Sequence, residues 1–158
     1  PDAVLWLYES NIYAPENLRR AASTHGIDPT RLIFAKAAPL AEHLARYHHV
    51  DLALDTFPVG GHTTTSDALW TGTPVVTLVG QSFVARVAAS LLTSAGLPQL
   101  ITTSVADYKA LALTLMHQPE QRQGIKKQLQ NKRLDISLFD TPRFVRNLET
   151  AFMQVSRR

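Results

Sequence analysis

The chain has no cysteine, which excludes disulfides and every cysteine-ligated metal or iron–sulfur site. No apolar run approaches the roughly 18 residues of a membrane-spanning helix. No basic region followed by an apolar core and a small-residue cleavage site stands at the N-terminus, so no secretory signal is visible. Two nucleotide fingerprints are also missing. Neither G-x-G-x-x-G after a strand nor G-x-x-x-x-G-K-[ST] occurs, so dinucleotide and P-loop sites of those kinds are not supported. There is no G-x-S-x-G either, hence no hydrolase nucleophile elbow. His48 and His49 are adjacent rather than one helical turn apart, which argues against a metal site on one helix face. No residue makes a convincing general base paired with a nucleophile.

What remains is the composition of a soluble globular protein, 45% apolar and 18% charged over 158 residues. That length suits a single domain with a sizeable core, and with the missing cysteines it fits a cytoplasmic location. The net charge of +3 is uneven: residues 1–119 carry seven Lys/Arg against nine Asp/Glu, and residues 120–158 nine against four. No aromatic residue interleaves with Lys126, Lys127, Lys132 and Arg133. The basic end therefore reads as a solvated helix face, and no nucleic-acid partner is expected. The chain begins on Pro1, and Ala3 to Tyr8 is already an apolar strand, which suggests a fragment of something longer.

Taken in order, the pattern alternates strand and helix. Ala3–Tyr8 is a continuous apolar run, the mark of a strand covered on both faces. Pro15 opens a helix with Leu18, Ala21 and Ala22 at helical spacing, and Gly26 stops it. Arg31–Ala35 is a second strand. Pro39 opens a second helix with Leu40, Leu44 and Tyr47 on one side. Asp51–Asp55 is a third strand, followed by a Gly60-Gly61 turn and a helix over Thr63–Trp70. Val75–Leu78 is a strand. The helix after Gly80 carries Val84, Val87, Ala88, Leu91, Leu92 and Ala95 as a core-facing stripe. Gln99–Thr102 is a short strand. Helices follow over Ser104–His117, from Pro119 to about Arg133, and after Asp140-Thr-Pro142, the last with Phe144, Leu148 and Phe152 on one face. The order predicts an α/β protein with a doubly wound, Rossmann-like parallel sheet. Residues 119–158 form C-terminal helices, and no internal repeat is present.

In such sheets ligands lie at the carboxyl ends of strands. The stretch after Asp55 is the richest in chemistry. A helix start there offers unpaired N–H groups and the positive end of the helix dipole, a natural seat for phosphate. Gly60 and Gly61 remove Cβ obstruction to an approaching anion. Thr63, Thr64, Thr65 and Ser66 add hydroxyl donors, and His62 adds a donor or a positive charge. Thr64 and Asp67 have capping-box spacing. A carboxylate at Asp67 would repel phosphate, so any ligand role for it is to accept hydrogen bonds from sugar hydroxyls. After the second strand, His43 and Arg46 lie three apart on a helix, where they could meet a base edge or a phosphate, or simply be solvated.

Asp55-Thr-Phe-Pro-Val-Gly-Gly-His-Thr-Thr-Thr-Ser-Asp-Ala-Leu-Trp-Thr-Gly-Thr-Pro74 resembles the nucleotide-binding signature of the O-linked N-acetylglucosamine transferases. The similarity extends through Ala37–Arg46 and Gln81–Ser90, with scattered matches to the final helix, and so covers most of the chain. It implies the C-terminal Rossmann-like half of a GT-B enzyme that transfers N-acetylglucosamine from a uridine diphosphate donor to protein Ser or Thr, inverting the anomeric carbon without a metal or other cofactor. By matching, Gly61, His62, Thr63 and Thr64 meet the diphosphate, Asp67 the ribose, and Ala38, His43 and Arg46 the region of the uracil. Leu40 stands where animal members carry a lysine. The family's catalytic lysine and the tetratricopeptide repeats that present the protein acceptor lie upstream of Ala3 in the family pattern. No catalytic residue is therefore expected in this chain, which by itself should be inactive or be completed by another segment. The missing strand would lie beside the one at Ala3. An asparagine glucosyltransferase of the same family, a UDP-sugar-binding module without turnover, and an epimerase of the same shape are the alternatives, the signature arguing against the last.

Overall fold

A computed structural model describes residues 3–131 and 135–156. The chain forms two compact units, Pro1–His43 and Leu44–Arg158. In the first, β1 (Leu5–Tyr8), α1 (Ala14–Thr24) and β2 (Leu32–Ala35) make a parallel β–α–β unit, with Leu5 opposite Leu32 and Tyr8 opposite Ala35. Asn11 prepares the helix entry: its Oδ1 accepts from the Tyr13 and Ala14 N–H groups at 2.9 Å each. Gly26, at φ 72°, takes the left-handed conformation that ends α1. Ala22 and Leu32 are buried, and the Arg19 guanidinium lies 4.9 Å from the Phe34 ring centroid. One expectation is corrected here. β1 is not covered on both faces, since Leu5 is 46% and Tyr8 63% exposed. Apolar sequence permits burial, but cover has to come from neighbours, and among the described strands β1 pairs only with β2.

Helix α2 (Leu40–Arg46) spans the boundary between the units, and Tyr47 belongs to the short 3-10 turn that follows it. The second unit contains β3 (Ala53–Leu54), α3 (Thr63–Thr71), β4 (Val75–Leu78), α4 (Val87–Ser94), β5 (Ile101–Thr102), α5 (Val105–His117), α6 (Pro119–Asn131) and α7 (Thr141–Ser156). Its sheet is parallel in the order β3-β4-β5. The parallel α/β arrangement is as the sequence predicts, with the hydrogen-bonded ladders falling into two sheets. Strands three and five are shorter than expected. Asp51, Leu52 and Asp55 flank β3, and Gln99 and Leu100 lie in a 3-10 turn before β5. Lys132 and Arg133, where α6 was expected to end, lie outside the described residues.

β4 is the centre of this unit, with Val75 and Val76 at 2% and 0% exposure, because strands on both sides and helices above it remove its side chains from water. Ala68 and Leu69 of α3, Leu92 and Ala95 around α4, Leu115 of α5 and Leu129 of α6 pack into the same core. The expected α4 stripe therefore faces inward, although Val84 precedes the helix in a 3-10 turn. α3 ends at Gly72, whose φ of 88° admits glycine readily, and Thr73 N–H bonds back to Ala68 O at 2.8 Å. That tight stop delivers Pro74 directly into β4. Arg122 of α6 ends α5 by donating to Leu115 O at 2.6 Å and Met116 O at 3.0 Å. α7 buries none of its residues: Phe144, Leu148 and Phe152 share a side by helical spacing and are 63%, 41% and 65% exposed.

Leu69 links α3 to this core and is fully buried. Replacing it with alanine is expected to cost about 2–5 kcal/mol through lost transfer energy and cavity formation. Chemical denaturation measures this; a loss below about 1 kcal/mol would show that α3 is not anchored through this side chain.

Candidate functional site

The site is built where β3 ends. Asp55 leaves the sheet with its N–H still bonded to Val76 O at 2.9 Å. The chain then turns through Phe57 and Pro58, joined by a cis peptide bond. Thr56 Oγ1 donates to Val59 O at 2.7 Å across the turn. Gly60 N–H donates to Val84 O at 3.0 Å, which ties this loop to the one following β4. Gly61 N–H donates to Asp55 Oδ1 at 2.6 Å. The next residue, His62, is the N-cap of α3.

The two glycines are needed for space rather than for an unusual dihedral, since neither has positive φ. A Cβ on Gly61 would lie 2.6 Å from Thr65 Oγ1 and 2.7 Å from Thr64 Oγ1. A Cβ on Gly60 would lie 2.9 Å from Asp55 Oδ2. The glycines thus allow a close approach between parts of the chain itself. The expected capping box is corrected. Thr64 is the second residue of the helix rather than its cap, and His62 caps without a side-chain hydrogen bond.

That leaves the helix start open. Ser66 is the first residue of α3 whose N–H reaches an intrahelical acceptor, His62 O at 3.1 Å. The N–H groups of Thr63, Thr64 and Thr65 precede that point and have no acceptor within the helix. Thr63 and Thr64 are exposed, whereas Thr65 is buried. His62 packs edge-on against Phe83, ring centroids 5.9 Å apart, and Phe83 itself is 77% exposed. The His62 Nε2 atom is buried and has no hydrogen-bond partner among the described residues. A buried polar nitrogen left unpaired costs about 1–3 kcal/mol. Such an atom beside the unsatisfied end of a helix fits a ligand that supplies oxygen acceptors and negative charge.

Asp67 stands one turn into α3, half-buried. Nearby, Tyr47 donates from its hydroxyl to Thr64 O at 3.4 Å, and its phenol is pushed up from the ordinary value by burial and by the Asp67 carboxylate. Gly61, His62, Thr63 and Thr64 are therefore consecutive at one helix start, with Asp67 on the same helix. Ala38 and His43 belong to the first unit: Ala38 is half-buried before α2, and His43 N–H bonds to Pro39 O at 2.9 Å within it. Arg46 ends α2 in the second unit. Among the described residues, no three His, Asp or Glu side chains gather as a metal site, and no helix is long and apolar enough to cross a membrane.

Beneath the loop lies a network that the sequence did not disclose. Asp55 is 8% exposed. Thr77 donates to its Oδ2 at 2.6 Å, and Tyr108 donates to its main-chain oxygen at 2.9 Å. Thr102 in turn donates to Thr77 O at 2.8 Å, and Phe57 lies edge-on to Tyr108 with centroids 5.6 Å apart. The available signal was an acidic residue following the apolar run Leu52-Ala53-Leu54. Its partners are 22 and 53 residues away, beyond the reach of local pattern.

An open helix start at the carboxyl end of a strand in a parallel α/β unit is an arrangement suited to an anion or a nucleotide. Comparison with known proteins narrows the class. The model of glycosyl transferase family 41 matches residues 1–148. The chain is 32% identical over its whole length to a UDP-N-acetylglucosamine–peptide N-acetylglucosaminyltransferase of Caenorhabditis elegans, covering 14% of that protein. It is 35% identical over 98% of its length to the probable enzyme of the same kind, SEC, from Arabidopsis thaliana, covering 16% of it. A solved lysine-to-methionine mutant of the Thermobaculum terrenum O-GlcNAc transferase superposes with a TM-score of 0.90 at 33% identity, over 96% of this chain and 30% of that one. The chain belongs to glycosyltransferase family 41, and it spans less than a third of the length of these relatives.

Two measurements check the geometry. Gly61→Ala forces a methyl into the Thr64 and Thr65 hydroxyls and is expected to cost about 1–3 kcal/mol; unchanged stability in denaturant would refute the close packing. The Tyr108 phenol is pushed up to about 12 by burial, with Asp55 adding to it. The fold thus favours the neutral phenol. This contribution is complete below the free tyrosine value of about 10 and is lost as pH rises through the folded value. Stability should fall across that alkaline window. Tyr108→Phe should flatten the fall, at a cost of about 1 kcal/mol near neutrality. Parallel alkaline profiles for the two proteins would contradict the assignment.

Proposed function

We propose that this chain supplies the donor-nucleotide site of a UDP-sugar-dependent protein glycosyltransferase, one that moves N-acetylglucosamine from UDP-N-acetylglucosamine to Ser or Thr of a protein. The observation that carries the reading is the buried, unpartnered His62 Nε2 beside the open start of α3. A diphosphate oxygen would satisfy that nitrogen, and the N–H groups of Thr63 and Thr64 with their exposed hydroxyls would take further oxygens. Asp67, one turn on, would accept from the ribose hydroxyls. Ala38, His43 and Arg46 are assigned by the family resemblance to the uracil end. Family membership and the names of the relatives support the choice of donor and acceptor.

On this reading the site works on the leaving group. As the bond from the anomeric carbon to the diphosphate breaks, negative charge grows on the phosphate oxygens. Fixed N–H donors and the helix dipole then stabilise the departing UDP more than the intact donor. No metal is required in this proposal, because the helix start and His62 meet the charge. No residue of the chain is assigned proton transfer, and the protein acceptor is taken to be presented by other parts of the enzyme. A cytoplasmic setting belongs to the same proposal.

Calorimetry with UDP on the protein expressed from its full gene tests this, with a chelator present throughout. Saturable binding is expected. His62→Ala should weaken it about 10- to 100-fold, the loss of one hydrogen bond to a charged group, and Asp67→Ala about 10-fold. No heat at millimolar UDP, or binding that appears only with added magnesium, would overturn the proposal. Transfer of labelled sugar to protein distinguishes an enzyme from a binding module.

A further inference from the structure

We propose that Asp55 is the positioning residue of this site: it touches no ligand, and it aims His62 and the start of α3 by holding the Gly60–Gly61 turn. The proposal rests on the nucleotide reading of that helix start and goes beyond it. Three observations carry it. Asp55 is a carboxylate 8% exposed, and among the described residues no cation pairs with it. Burying a charge without a counter-ion is costly, so its hydrogen bonds must hold it. Both oxygens are committed: Oδ1 accepts from Gly61 N–H and Oδ2 from the Thr77 hydroxyl, each at 2.6 Å. The main chain is committed as well, through Tyr108 to Asp55 O and Asp55 N–H to Val76 O, each at 2.9 Å.

The consequence is directional. Gly61 immediately precedes His62, so fixing its N–H fixes the orientation of the peptide that leads into the N-cap. The other oxygen reaches β4, which lies in the middle of the sheet and is almost wholly buried. The carboxylate therefore transmits the rigidity of β4 to a loop that has no strand or helix of its own. Both of its oxygens are taken up by donors from the protein. A side chain one bond shorter could not span Gly61 and Thr77. One a methylene longer could not keep both oxygens on the Gly61 N–H and the Thr77 hydroxyl without moving the loop.

The test uses the protein expressed from its full gene and the ratio of the Kd for uridine to the Kd for UDP, which isolates the diphosphate contribution. Thermal melts without ligand run in parallel. Asp55→Ala and Asp55→Glu are expected to lower the ratio at least 10-fold. Asp55→Asn keeps an acceptor for Gly61 and should hold the ratio within about threefold, one modest hydrogen-bond difference. Leu92→Ala, a core substitution in α4 with no bond to Asp55, should lower the melting temperature and leave the ratio unchanged, which separates aiming from general support. If Asp55→Ala is insoluble, the contrast between the Glu and Asn variants decides. A wild-type ratio in Asp55→Glu, or a ratio that falls in all variants in step with melting temperature, would overturn the proposal. Absence of UDP binding by the wild type would instead remove the nucleotide reading beneath it.

Discussion

A buried carboxylate that must be satisfied is the constraint on which this end of the molecule depends. Asp55 stands at the carboxyl end of β3, nearly closed to water, and draws in a backbone N–H from Gly61 and a hydroxyl from Thr77. The first bond bends the loop back on the strand. The second fastens it to β4. Everything the helix start can offer a ligand follows from that closure, because α3 begins at Thr63, two residues after Gly61 and directly after its cap His62. The glycines are explained by the same interaction: a Cβ at either position would collide with Asp55 or with the threonine hydroxyls packed behind it.

The polar network stays cooperative because its members lie on successive strands. Thr102 of β5 supports Thr77 of β4, which supports Asp55 after β3, while Tyr108 of α5 closes the set from the helix side. Networks of this kind favour one geometry when every member is satisfied and are costly when one is not. Against that background the unpartnered His62 Nε2 stands out. Among the described residues it is a buried side-chain nitrogen without a partner, and it lies at the open helix end. On the proposed reading, that nitrogen is kept for an anionic ligand.

Much of this was legible in the sequence. Glycines, a histidine and a run of hydroxyls at the end of an apolar strand mark a helix start, and α3 begins at Thr63 as expected. The stripe from Val87 to Ala95 faces the core because its spacing allows one face to be buried. Local pattern failed where the deciding partner was distant. Thr64 and Asp67 have the spacing of a capping box, but the loop closure places His62 at the cap. Asp55 looked like the polar end of a strand, because Thr77 and Tyr108 come near it only in the folded chain. β1 read as a fully covered strand from its apolar residues alone, yet cover is a property of neighbours, and Leu5 and Tyr8 remain open to water. The family resemblance, by contrast, rests on a long contiguous match and agrees with the family comparison over residues 1–148.

The central claim is that the partner missing from His62 Nε2 is a diphosphate oxygen. The most direct measurement is the nitrogen-15 resonance of that atom, followed in histidine-labelled protein during titration with UDP and, separately, with uridine. The account predicts a saturable shift with UDP, little change with uridine, and no such signal in His62→Ala. An Nε2 resonance that ignores UDP while UDP binds, or that responds equally to uridine, would contradict it.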